Sequence, residues 1–168
     1  MGRPSLQEIR ALEDPLLSYA WNLVIPNIPG GGKSKPLSIK CMNVPIPGTS
    51  VDMVSVALHG VIVTYAGMQQ WTHQFQATFM ETRSLEVRDT IKGWIQTARN
   101  TKQNAGTEKS TYATAGQLQL YDDIPNLIKT INIHGMYPLT LDDAALDGAV
   151  SSLVPMTVVF AFDYTSDS

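Results

Sequence analysis

The stretch WTHQFQATF, residues 71–79, runs directly into METRSLEVRDTIKGWIQTARN, residues 80–100, and the change of period between them decides the fold class. In the first part Trp71, His73, Phe75, Ala77 and Phe79 alternate with Thr72, Gln74, Gln76 and Thr78. That two-residue repeat is the mark of a strand with one buried and one wet face. In the second part Leu85, Val87, Ile91, Trp94, Ile95 and Ala98 recur at helical spacing, so one amphipathic helix follows the strand. Ser84 is the expected N-cap, with Glu86 and Asp89 near the positive end of the helix dipole and Arg99 near the other end. Seven charged residues lie between Glu81 and Arg99, against four in residues 17–80, as expected of a helix whose outer face meets water.

Upstream, LSYAWNLVI (17–25) reads as a first strand and LSIKCMNV (37–44) as a second. The Pro- and Gly-rich PNIPGGGKSKP (26–36) forms an exposed loop across which the two pair. Pro45 and Pro47 then break the chain. Residues 53–65 form two β-prone runs split by His59-Gly60, which predicts a hairpin or a long extended arm. Downstream, the polar run 100–114 is too long for a simple connection and reads as a flexible or partner-dependent loop. GQLQLYD (116–122), NLIKTINIHG (126–135) and PMTVVFAFDYT (155–165) are three further strands. In the last of these Met156, Val158, Phe160 and Phe162 line one face. Strands, one helix, then strands make a mainly β chain: antiparallel sheet with a single packed helix. Its long, sparsely charged strands leave edges that assembly would cover.

The composition narrows function by exclusion. At 168 residues the chain is expected to form one domain, 1–168, and a chain of this size buries roughly 70% of its surface. A formal charge of −3 leaves no cationic excess for a phosphate backbone. After Lys129 there are five Asp and no Lys or Arg, and a face built from them would repel DNA. No signal peptide or spanning segment is expected, because Glu8, Glu13 and Asp14 interrupt the start and no apolar run approaches 20 residues. GGGKS (30–34) ends like a phosphate-binding loop. However, Asn27 stands where the first Gly belongs, Pro26 and Pro29 flank it, and a strand is expected after it. His59, His73 and His134 are too far apart to suggest a metal site, and Asp142, Asp143 and Asp147 lack the pattern of a calcium loop. Cys41 reads as a buried or half-buried thiol rather than a nucleophile. Trp71, Phe75 and Phe79 could stack bases, but without nearby positive charge they read as core. Neither catalytic residue nor cofactor nor metal is expected.

The order of these pieces resembles the tail tube proteins of contractile-tailed bacteriophages. The matching segments are DPLLSYAWNLVI (14–25), IKCMNVPIPGTSVDM (39–53), HGVIVTYAGMQQW (59–71), FQATFMETRSLEVRDTIKGWI (75–95) and VVFAFDYT (158–165). The resemblance implies a β-sandwich or small barrel with one flanking helix, six copies of which join edge to edge into a ring with a continuous inner barrel. It implies stacking of rings into a hollow tube that has sheath, tape-measure and baseplate proteins as partners and passes genomic DNA without binding it. The location would be the virion tail, assembled in the host cytoplasm, with no membrane association. The arm 1–16 and the loop 100–114 would meet neighbours. The extended hairpin or arm 44–67 would bridge to the next ring through Val44, Pro45, Pro47, Gly48, Val56, Val61, Tyr65 and Gly67. A tube protein of a type VI secretion system or tailocin, a single-ring baseplate or tail-terminating protein, and a monomeric β-sandwich ligand-binding module are the alternatives.

Overall fold

A computed structural model of the chain describes residues 5–12, 14–100 and 102–168. Nine strands and four helices are present among them. The chain is mainly β, and its antiparallel sheet curls into a nearly closed barrel. In chain order the elements begin with α1 (Leu6–Arg10), β1 (Trp21–Val24), α2 (Ser34–Ile39) and β2 (Cys41–Asn43). The hairpin β3 (Thr49–Leu58) and β4 (Val61–Trp71) follows, then β5 (Gln74–Met80) and α3 (Glu86–Ala98). After these come α4 (Lys109–Tyr112), β6 (Thr114–Tyr121), β7 (Leu127–Leu141), β8 (Pro155–Ala161) and β9 (Tyr164–Asp167). The main sheet runs β1-β6-β7-β8-β5-β2, with β9 on β7, and β3-β4 forms a separate two-stranded sheet.

The decisive stretch behaves as its pattern predicts, with one shift. Phe75, Ala77 and Phe79 are buried while Gln74 and Gln76 are exposed. Trp71, however, closes β4, and the chain breaks at Thr72-His73, where His73 takes φ +54°. On the neighbouring strand Met156, Val158 and Phe160 are buried, as is Phe162 just past its end, and Phe75 stacks on Phe160 with ring centres 5.4 Å apart. Against this layer α3 lays Val87, Ile91 and Trp94, the last 0% exposed. The indole of Trp94 donates to the Tyr112 carbonyl at 2.6 Å, so burial leaves no orphan N–H.

The expected N-cap at Ser84 is corrected. Leu85 occupies that position in the left-handed region, and its side chain caps nothing. The carboxylate of Glu81 does the work instead, accepting from Val87 N at 3.2 Å and Arg88 N at 2.8 Å. A carboxylate three residues further back can reach over the tight 82–85 turn and places charge on the positive helix end.

Other expectations also change. The second strand is only Cys41–Asn43, because Leu37 to Ile39 belong to α2. Pro36 is tolerated in the first turn of that helix, and Leu37 is buried there while Ile39 points out. β1 and β2 do not pair with each other; β1 pairs β6 and β2 pairs β5. They are the two edges of the sheet, and α2 joins them in sequence, its Ser38 hydroxyl bonded to Asn22 Oδ1 at 2.5 Å. The first strand is shorter than expected, starting at Trp21. The described part of the polar run after α3 is partly ordered, with a bridge between Arg99 and Gly106 and then α4. A single helix is expected where four are present among the described residues, and of these only α3 exceeds six residues. The last predicted strand is two, β8 and β9, kinked at Phe162-Asp163, and together they follow β7 along most of its length.

Candidate assembly surface

The segment that leaves β2 crosses the sheet to reach the hairpin, packing on its buried residues as it goes. Val44 packs against both groups of buried residues, including the smaller one of Leu118, Leu120 and Ile131. A cleft on one side of this crossing is lined by Leu16, Val44, Ile46 and Leu118, and one on the other by Ile46, Pro47, Trp71 and Thr165. Val44 is therefore an anchor of the hairpin to the core. Pro45, Pro47 and Gly48 belong to the same crossing, where Pro45 and Gly48 are exposed and Pro47 is half-buried.

From there the β3-β4 hairpin extends away from the main sheet. His59 and Gly60 form its two-residue turn with φ of +49° and +84°, the mirror-image turn whose twist suits a hairpin. Cross-strand partners share a face, so the pairs Val54↔Tyr65, Val56↔Val63 and Leu58↔Val61 make one apolar stripe. The opposite face carries Ser55↔Thr64 and Ala57↔Ile62. All six stripe residues are between 36% and 62% exposed. Val56, Val61 and Tyr65, singled out from the sequence, lie together on this stripe. Val54, Leu58 and Val63 complete it, and the alternation 54-56-58 and 61-63-65 was the signal that could have found them.

Gly67 serves the hairpin's shape. Between Val51 and Met53 the register slips by one residue, with Gln69 and Ala66 as the respective partners. A Cβ on Gly67 would sit 3.0 Å from the Asp52 Cβ, so any larger residue at the bulge would have to push that side chain aside. The bulge bends β4 between the barrel and the stripe.

The remaining sequence candidates are not brought together. A six-residue helix, not a strand, follows GGGKS, and this corrects one ground for setting that string aside. The loop packs on α3 instead: at φ +89°, a Cβ on Gly30 would sit 3.1 Å from the Gly93 backbone. Its glycines permit that close approach. His59 is in the hairpin turn, His73 at the β4-β5 break, and His134 in β7 stacked on Tyr164 with centroids 4.4 Å apart. Burial pushes the Cys41 thiol up to about 12, so thiolate chemistry at neutral pH is suppressed. The five late Asp residues do not form one free acidic face, since Asp163 pairs with Lys109 and Asp167 with Lys129, both at 2.5 Å. No group of three or more His, Cys, Asp or Glu with metal-binding spacing occurs among the described residues. None of the described helices is long and apolar enough to cross a membrane.

Residues 25–166 match the family model described as phage tail tube protein. No curated protein matches the sequence. Solved structures of similar fold include the following three. A chain of the PVC extracellular contractile injection system, from its sheath/tube terminator in the extended state, superposes with a TM-score of 0.69 at 17% identity, covering 94% of this chain and 99% of that one. One from the extended PVC sheath-tube complex gives 0.66 at 16% identity, covering 99% of each. One from the tube terminating cap of the anti-feeding prophage gives 0.69 at 10% identity, covering 94% of this chain and 93% of that one.

Proposed function

The chain belongs to the phage tail tube protein family, and from that premise we propose that its copies close into rings of six that stack into the hollow inner tube of a contractile phage tail. The observation that carries the reading is the β3-β4 hairpin, whose apolar stripe the described residues leave 36% to 62% exposed. An isolated two-stranded hairpin is marginal in water, and a contiguous apolar patch marks an interaction surface. A neighbouring copy supplies the cover, and the hairpin bridges one ring to the next. The role is structural and not catalytic. Six chains at −3 give a ring of about −18, a net charge that supports passage of DNA without its being held by counterion release. Sheath, tape-measure and baseplate proteins are the partners, in a virion assembled in the host cytoplasm.

Negative-stain electron microscopy of the purified chain, with a mass measurement on the same sample, tests this. Hollow tubes, or rings of six times 18.4 kDa, support it. A uniform monomer at high concentration overturns self-assembly. A second reading, favoured by the likeness to the PVC and anti-feeding prophage structures, is the tube of an injection system that delivers something other than DNA. Particles from producing cells separate the two: DNA-filled heads on the tails support the phage reading, and headless particles the other.

A further inference from the structure

Another unpartnered element precedes the strands that build the sheet. α1 has a complete capping box, in which Ser5 Oγ accepts from Glu8 N at 3.2 Å and Ser5 N donates to Glu8 Oε2 at 2.6 Å. Yet it buries no residue, and Leu6, Ile9 and Leu12 are 62%, 51% and 70% exposed. A helix this short does not hold in water by itself, so its apolar side needs a seat. At about 100° per residue, Leu6 stands about 60° from Ile9 on that side, and Leu12, just past the helix end, continues the apolar run. Glu8 then lies about 100° to one flank and Arg10 about 100° to the other. The helix presents an apolar stripe with an acid along one margin and a base along the other.

A groove with the matching arrangement runs between α3 and the 142–154 loop. Its volume is about 770 Å³, and Leu141, Val154 and Met156 contribute apolar lining. Arg88 and Lys92 of α3 stand on one wall, and Asp142 and Asp143 on the other. Among the described residues Arg88 reaches only its neighbour Asp89, at 3.6 Å, while Lys92, Asp142 and Asp143 make no ion pair. No α1 residue lines this groove in its own chain.

We infer that α1 of one copy docks in the groove between α3 and the 142–154 loop of a second copy, with Glu8 toward Arg88 and Lys92 and Arg10 toward Asp142 and Asp143. The inference rests on the self-assembly just proposed and uses a surface separate from the hairpin stripe. Opposed charges on the two walls fix the direction in which the helix can lie, because the reversed orientation sets like charges together.

The test mixes two full-length chains in a Cys41→Ala background, one carrying Ile9→Cys and the other Ala144→Cys, and treats them with a short thiol cross-linker. A covalent dimer of the two chains is expected. Arg10→Glu in the first chain should lower its yield about tenfold, and Asp142→Arg with Asp143→Arg in the second should restore it. Thermal melting of each variant confirms folding, as all these sites except Cys41 and Ala144 are exposed. No cross-linked dimer overturns the proposal. So does a link formed only within a chain carrying both cysteines, since α1 would then close on its own groove. Microscopy of the same samples keeps the two proposals apart: tubes without cross-links defeat the groove and leave the tube, and cross-links without tubes do the reverse.

Discussion

At Trp94 several requirements converge on one side chain. It is fully buried, its ring centre lies 5.9 Å from that of Phe160, and its indole N–H holds α4 through Tyr112. Trp94→Ala should cost about 3–5 kcal/mol and is read by chemical denaturation. Ile95→Ala should cost less, because Ile95 is only partly buried. Cys41 offers a pH measurement. Its thiol is held neutral by burial up to about 12, whereas the unfolded chain ionises earlier. The stability it contributes is therefore fully present below the ordinary thiol value and is lost as pH rises toward 12. Cys41→Ala should flatten that part of the stability profile, and the native thiol should resist alkylation at pH 8. The core residues of α3 and β8 were legible because packing repeats at the period of the element. The N-cap was not legible, since Ser84 satisfies a local preference while Glu81 reaches the same N–H groups across a turn.

Among the elements, α3 depends on that reach. Glu81→Ala leaves the N–H groups of Val87 and Arg88 without their acceptor and should cost about 1–2 kcal/mol, seen as a lower melting temperature. The hairpin is the contrasting case. Val56→Asp changes a side chain that is exposed in its own chain, so melting should stay unchanged while stacking into tubes is lost. Tubes of normal length from this variant would remove the stripe from the assembly. Sequence pattern located this hairpin through His59-Gly60, but its stripe emerges only once the register pairs 54 with 65. α2 was hidden by Leu37 and Ile39, whose spacing of two imitates a strand. Six residues are too few for either period to win, and Pro36 decides locally for the helix.

Across the whole molecule, β1 and β2 end the sheet as edges, α2 links them, and the hairpin forms a sheet of its own. The fold class was readable because β5 and α3 differ in period over a single uninterrupted stretch. The crossing role of 44–48 was not, because Val44 reads as the last residue of a strand until the core beneath it is formed. Charge supplies a test at this scale. The purified chain, tube or monomer, should show no retention of double-stranded DNA in a gel-shift assay at 50 mM salt, and retention that weakens with salt would show a cationic surface formed on assembly. The hairpin has a further consequence. Each chain carries one such hairpin, a sheet separate from the barrel, and in the stacking proposed above it meets a neighbour's surface other than its own stripe. Any column built through it has a head and a tail, with unused hairpins at one extremity and vacant seats at the other. Growth and termination are then separate chemical problems, and a stopper for either extremity has no purchase on the other.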